Sequence, residues 1–167
     1  MSKYEQPEYT LVESVDGFEI RDYQEFYTSL VKEDRIRGNS GFGKLFNYIA
    51  GQNDQAKAIA MTVPVLMSSD DQTMEFVIPK SVTPSIPTPS NPDVKINKHP
   101  ARRYLVKRFT GRATPEKVHQ INEELLAYAT QKNFNSSKKG YLAQYSGPVT
   151  PFFLRTNEVL LEIQNPA

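Results

Sequence analysis

Few side chains in this chain have the type and spacing that enzyme chemistry requires. The two histidines, His99 and His119, lie twenty positions apart, so they do not form the His-x-x-x-His pair of a helical zinc site. There is no cysteine, which excludes disulfides, thiolate metal ligands and a cysteine nucleophile. We interpret His99, which precedes Pro100, as a turn residue and His119 as a solvent-facing helix residue, with metal ligation as the alternative for both.

The carboxylates and methionines form no recognisable catalytic set either. Glu158 and Glu162 are expected on a solvent-facing surface, and no spacing places two carboxylates across a sugar as a glycosidase requires. Met61 and Met67 are an even number of positions apart, so a regular strand turns both to one face unless Pro64 breaks the register. Core packing is the favoured interpretation of these methionines, with a thioether ligand to iron as the alternative. No metal site is predicted.

Two segments have the composition of an anion site. The glycine-rich run 38–43 leads into a helix but lacks the Gly-Lys-Ser/Thr ending of a phosphate loop, so it predicts a flexible loop and a helix cap. Arg102, Arg103, Lys107 and Arg108 form a small basic group on one predicted strand. We interpret this group as charged protection of a strand edge, with binding of an acidic ligand group as the alternative.

The composition is that of one folded domain. Hydrophobic residues make up 38% and aromatic residues 11%, while the net charge of +1 gives no basic excess for nucleic acid. No apolar run approaches the roughly 20 residues of a membrane span. The first ten residues do not resemble a signal peptide, although a chain trimmed of its leader would look the same. We expect a single cytoplasmic domain over residues 1–167, with no nucleic-acid partner and no membrane span.

Two segments have the apolar period of an α-helix. The first is capped by Asn39 or Ser40 and ended by Gly51, and the second starts with Thr114 as cap and Pro115 in the first turn. Residues at three- and four-residue spacing predict the side of each helix that packs on a sheet. These are Phe42, Leu45, Phe46 and Ile49 in the first helix, and Val118, Ile121, Leu125 and Tyr128 in the second.

Strand-forming segments surround both helices in the same order. Strand, strand, helix, strand, strand occurs twice, in roughly residues 18–79 and 93–164, and a proline-rich segment, 79–92, predicts an extended surface loop between them. We predict an α+β fold in which this duplicated unit forms a distorted barrel-like antiparallel sheet with two packed helices. The predicted strands are 9–13, 18–23, 26–31, 60–67, 74–78, 94–98, 103–109, 141–145 and 158–163.

Five segments, collinear over most of the chain, carry a family resemblance. They are 18–23 (FEIRDY), 41–51 (GFGKLFNYIAG), 59–65 (IAMTVPV), 104–111 (YLVKRFTG) and 148–160 (PVTPFFLRTNEVL). With these segments the chain resembles the SOUL haem-binding protein family. The resemblance implies a duplicated barrel-like α+β fold and a cytosolic protein that binds haem or another tetrapyrrole, often without enzymatic turnover.

The resemblance also implies where a ligand lies, namely on the first helix and in the loop before the last strand, from Gly147 to Arg155. Haem is a flat apolar disc with two carboxylates, so it needs an apolar cleft and a nearby cation. Phe46 is the best candidate to face the ligand, and Lys44 and Arg155 are the candidate propionate partners. The full predicted set is Phe42, Lys44, Leu45, Phe46, Ile49, Phe152, Phe153 and Arg155, of which Leu45 and Ile49 are first of all core residues.

One position departs from the family pattern. Some members of the family ligate haem iron with a histidine directly after the arginine of the Glu-Ile-Arg segment, where this chain has Asp22. A carboxylate is a poor replacement for imidazole on haem iron, so the resemblance implies weaker binding, through apolar contacts or through a ligand from elsewhere.

We therefore predict a non-enzymatic tetrapyrrole carrier or buffer. One alternative is a small-molecule effector-binding or hydrolase domain of the related gyrase-inhibitor-like fold, which requires a buried carboxylate in a cleft. The other is a ligand-free interaction module, which requires an exposed apolar patch, with segment 79–92 as its contact.

Overall fold

The computed structural model describes residues 4–32, 40–68, 72–147 and 149–164. Antiparallel strands and two main helices confirm the predicted α+β class. The strands are β1 (Tyr9–Val15), β2 (Phe18–Tyr23), β3 (Phe26–Lys32), β4 (Val65–Ser68), β5 (Thr73–Val77), β6 (Lys95–His99), β7 (Arg102–Thr110), β8 (Asn135–Ser136), β9 (Tyr141–Gln144) and β10 (Thr156–Gln164). The helices are α1 (Ser40–Ile49) and α2 (Pro115–Gln131), and short 3-10 helices cover Lys80–Ser85 and Phe152–Leu154.

The chain divides into two compact units that do not coincide with its two halves. The first unit contains residues 25–100 and the N-terminal segment up to residue 7, and the second contains residues 8–24 and 101–167. Each sequence repeat contributes one strand to the unit formed mainly by the other repeat. β2, from the first repeat, pairs with β7 of the second, and β6, from the second repeat, pairs with β3 of the first. The assignment of residues 1–167 to a single domain stays a prediction.

The first unit is a four-stranded antiparallel sheet in the order β4-β5-β3-β6, with α1 on one face. Leu45, Tyr48 and Ile49 of α1 are buried against Val31 and Phe76 of the sheet. The predicted helix stripe is half right, because Tyr48 takes a core position while Phe42 and Phe46 are 41% and 51% exposed. Residues 38 and 39 of the glycine-rich run and the side chain of Ser40 lie outside what the structure describes, so the predicted cap at Asn39 or Ser40 stays a prediction.

The second unit is an antiparallel sheet in the order β1-β2-β7-β10-β9, and β8 pairs with the end of β10. Helix α2 buries Ile121 and Leu125 against the face of the sheet that carries Leu105 and Leu161. Thr114 caps α2 as predicted, since its side chain accepts a hydrogen bond of 3.2 Å from the Lys117 N–H. The predicted apolar stripe of α2 is confirmed at Ile121 and Leu125, which are both buried.

Two segments of the first unit differ from their predicted structure. The predicted strand 60–67 forms only from Val65 onward, because Pro64 has no N–H to give to a ladder. The segment 79–92 is not wholly extended, since Lys80–Ser85 form a 3-10 helix. Nor is the segment entirely on the surface, because Val82 is buried in the core.

No helix in the described ranges is long and apolar enough to cross a membrane.

Candidate functional site

Two exposed aromatic rings lie side by side on one flank of α1. Phe42 and Phe46 are one helical turn apart, and their ring centroids are 6.3 Å apart at an interplanar angle of 15°. The Phe42 ring also meets the buried Phe76 ring edge-on at 5.3 Å. The pair is therefore fixed to the core through Phe42, and Phe46 is the more exposed of the two rings.

The other predicted residues of α1 do not share this flank. Leu45 and Ile49 are in the core, so they support the helix. Successive helix residues are turned by about 100° around the helix axis. Lys44 is two positions from each ring, so it is turned by about 200° around this axis from Phe42 and from Phe46, to the other side of α1. Its Nζ contacts Oδ2 of Asp93 at 3.0 Å. A ligand lying flat on Phe46 is thus on the opposite flank from Lys44.

The predicted residues of the second unit lie in the loop that precedes β10. Phe152 and Phe153 are 48% and 63% exposed, and their rings meet edge-to-face at 5.7 Å. The Arg112 guanidinium lies 4.5 Å from the centroid of the Phe152 ring, a cation–π contact. Arg155 is half-buried and its Nε donates to the Thr150 carbonyl at 3.0 Å, which fixes the loop.

The second unit also contains a buried ion pair that the sequence did not indicate. Arg21 donates two hydrogen bonds to the carboxylate of Glu158, at 2.8 and 2.7 Å, and Tyr145 donates a third at 2.7 Å. Glu158 is fully buried, so its expected exposure is wrong. Burial raises the pKa of Glu158, but the hydrogen bonds and charge of Arg21 outweigh it, and the net pKa is lowered. Burial and the negative charge of Glu158 raise the pKa of Tyr145, which keeps its phenol protonated as a donor.

The first unit has a smaller buried polar cluster around Glu75. His99 Nε2 lies 2.7 Å from Oε1 of Glu75, and the Thr28 hydroxyl donates to the same oxygen at 2.6 Å. The interpretation of His99 as a turn residue is wrong, because it ends β6 and is buried beneath the stacked Phe26 ring at 4.7 Å. Neither carboxylate was identified from sequence, since each depends on partners from other strands.

Both buried carboxylates accept several hydrogen bonds from neighbouring side chains. The described residues contain no group of three His, Cys, Asp or Glu side chains placed to hold a metal ion. The effector-binding and hydrolase alternative required a buried carboxylate, and among the described residues both Glu75 and Glu158 are buried.

The basic group on β7 is paired throughout. Arg103 donates two hydrogen bonds to the Asp22 carboxylate, at 2.7 and 2.9 Å, and Arg108 donates to Glu158 at 3.0 Å. Asp22 is thereby engaged at the position where some family members have histidine. Arg102 contacts Glu162, and Lys107 contacts Glu124. The pairing agrees with charged side chains that stabilise the sheet surface.

Comparisons with known proteins place this geometry in a family. Heme-binding protein 2 of Mus musculus is 33% identical over 140 residues, which cover 75% of this chain and 66%, or just under two thirds, of the mouse protein. Solved structures share the fold at low identity. A hydrolase from Listeria innocua has a TM-score of 0.57 at 14% identity, covering 92% of this chain and 94% of its own. The EcmrR C-terminal domain has a TM-score of 0.63 at 9% identity, covering 89% and 98%. The family model described as SOUL heme-binding protein matches residues 4–162, and the chain therefore belongs to the SOUL heme-binding protein family.

Proposed function

We propose that this protein binds haem or a related tetrapyrrole without chemical turnover, as a carrier or buffer in the cytoplasm. The observation that carries the proposal is the exposed, stacked pair Phe42 and Phe46 on α1. Membership of a family described by heme binding, and the name of the mouse relative, support the choice of ligand.

The aromatic pair suits a porphyrin for a physical reason. A porphyrin is a flat apolar ring, and aromatic side chains bind such rings through face or edge contacts while removing apolar area from water. Because Phe42 is held against Phe76, the pair is ordered before the ligand arrives, which lowers the entropic cost of binding. Exposed rings on an ordered helix are thus a suitable porphyrin contact.

We further propose that neither Asp22, which stands where some family members have histidine, nor His99 ligates the iron. Asp22 is held by Arg103, while the His99 ring is buried against Glu75. Binding then depends on the porphyrin ring more than on the metal. Metal-free protoporphyrin should therefore bind with an affinity within about tenfold of that of haem, a difference of about 1.4 kcal/mol.

Titration of the purified protein with haem, followed in the Soret band, tests the proposal. We expect a saturable shift, and a loss of affinity of at least about tenfold, or 1.4 kcal/mol, in Phe46→Asp. Asn47→Asp is the matched control, because it adds the same charge at the next exposed position and keeps both rings. An unsaturable shift, or equal titration of Phe46→Asp and the wild type, overturns the proposal. Phe152, Phe153 and Arg155 stay a predicted second contact set, and Phe152→Asp in the same titration tests it.

A further inference from the structure

The loop before β10 presents its apolar side chains outward. We name residues 149–154 the tip loop. Val149 is 94% exposed, and Leu154 is 60% exposed beside the exposed rings of Phe152 and Phe153. Four exposed apolar side chains within six residues form a concentrated patch, of the kind that marks an interaction surface.

The tip loop is held in this arrangement by its own hydrogen bonds. The Thr150 N–H donates to the Gly147 carbonyl at 3.1 Å, and the Leu154 N–H donates to the Pro151 carbonyl at 2.9 Å. The base of the loop is tied to the end of β7, since the Gly111 N–H donates to the Arg155 carbonyl at 3.0 Å. The apolar side chains are therefore presented by ordered backbone, and little conformational entropy is lost when they insert into a partner.

Cations surround the base of the tip loop. Arg112 is exposed and lies over Phe152. Arg108, two residues before the end of β7, donates to Glu158 at 3.0 Å but keeps 61% of its side chain exposed. Neither 108–115 nor 144–157 contains an acidic residue. Glu158, the next residue along, is fully buried and bonded to Arg21. Every charged side chain within 108–115 and 144–157 is therefore an arginine.

We propose that the tip loop docks the protein onto an anionic lipid bilayer. Val149, Phe153 and Leu154 enter the boundary between headgroups and acyl chains, while Arg112 and Arg108 contact lipid phosphates. Apolar side chains backed by cations are the arrangement that binds anionic membrane surfaces peripherally. A bilayer also accepts a protruding tip without a matching groove. We expect this docking to be reversible, because only a few side chains insert.

Co-sedimentation with vesicles tests the inference. We expect the wild type to bind vesicles of phosphatidylcholine with phosphatidylserine, to bind pure phosphatidylcholine vesicles at least about fivefold more weakly, and to be released by salt. Leu154→Asp should abolish binding to both, whereas Arg112→Gln should weaken binding only to the anionic vesicles. Phe46→Asp is the control, because it places the same charge at a similarly exposed side chain that belongs to α1 and not to the tip loop.

The absence of tryptophan from the chain provides a second readout. Val149→Trp introduces a single tryptophan, which can be excited selectively beside the nine tyrosines. Its fluorescence should shift to shorter wavelength on anionic vesicles and be quenched by lipids brominated on their acyl chains. Phe46→Trp should show neither change. The inference is overturned by failure to bind anionic vesicles, by equal loss in Phe46→Asp, or by an unshifted emission from position 149. Self-association without lipid that Leu154→Asp removes also overturns it, because the tip loop then serves a second copy of the chain.

Discussion

Arg21 and Glu158, which are 137 positions apart in the sequence, form a bidentate ion pair with N–O distances of 2.8 and 2.7 Å. Both side chains are buried, at 2% and 0% exposure. The first pair joins β2 to β10, and a second pair of the same kind, Arg103 with Asp22, joins β7 to β2, but its side chains are 30% and 45% exposed. The second unit therefore contains two arginine–carboxylate pairs of similar geometry that differ in burial.

This difference predicts unequal costs for the same substitution. Arg21→Met leaves a buried carboxylate without its main counter-charge and should lower the free energy of unfolding by about 3–5 kcal/mol. Arg103→Met breaks an exposed pair and should cost about 0–1 kcal/mol. Urea unfolding of the two variants beside the wild type gives the comparison. Equal costs would show that burial does not govern the energy of these pairs.

The buried carboxylate of Glu75 predicts how stability depends on pH. Burial raises the pKa of Glu75, but the hydrogen bond and charge of His99, with bonds from Thr28 and Asn97, bring it below the ordinary value of 4.5. A carboxyl group with a lowered folded pKa stabilises the protein above its unfolded pKa, and this stabilisation is lost as the pH falls through the folded value.

The free energy of unfolding should therefore fall as the pH drops below the ordinary carboxyl value of 4.5, with Glu158 acting in the same direction. Glu75→Gln removes one titrating group and should make this acid-induced decrease shallower, although it also lowers stability at neutral pH. Urea unfolding at a series of pH values measures the slope, with the exposed Glu123→Gln as the control for loss of charge. An unchanged slope in Glu75→Gln would contradict the prediction.

Two glycines predict stability changes of opposite sign. A Cβ at Gly140 would lie 2.6 Å from the Leu160 carbonyl oxygen and 2.8 Å from Cγ1 of Val159, which the packed strand β10 cannot avoid. Gly140→Ala should therefore lower the free energy of unfolding by about 1–3 kcal/mol. Gly43 lies within α1 with no neighbour that a Cβ would meet, so Gly43→Ala should raise it by about 0.5–1 kcal/mol. Thermal unfolding of both variants checks the signs.

Local patterns predicted the helices better than they predicted the polar interior. Three- and four-residue spacing identified the buried faces around Leu45 and Leu125, because helix period and core contact arise from the same few residues. In β10 the face that carries Glu158 was expected to face solvent, yet it is buried at Glu158 and Leu160 and only partly exposed at Glu162. Its partner Arg21 is on a strand from the other end of the chain, and no local pattern encodes that pairing.

The candidate site shows the same limit. The family resemblance identified Phe46 and Lys44 together, but the turn of α1 places them on opposite flanks, and Asp93 pairs with the lysine. The exposure of Phe46 could not follow from its apolar character, which by itself predicts a core residue. Tyr48 was missed as a core residue because its burial depends on a hydrogen bond to a distant loop.

That bond gives the last prediction. The Tyr48 hydroxyl donates to the Pro87 carbonyl at 2.7 Å, and it fixes the segment 79–92 to α1 from within the core. Tyr48→Phe keeps the ring but leaves a buried carbonyl without this donor, which should cost about 1–3 kcal/mol. Because the segment keeps its bonds from the Thr88 and Ser90 N–H groups to Asp54 and Gln52, loosening should begin near Pro87. Limited proteolysis should cut the variant within 80–92 before any other site, whereas uniform cleavage along the chain would mean that the bond stabilises the whole unit and not this segment.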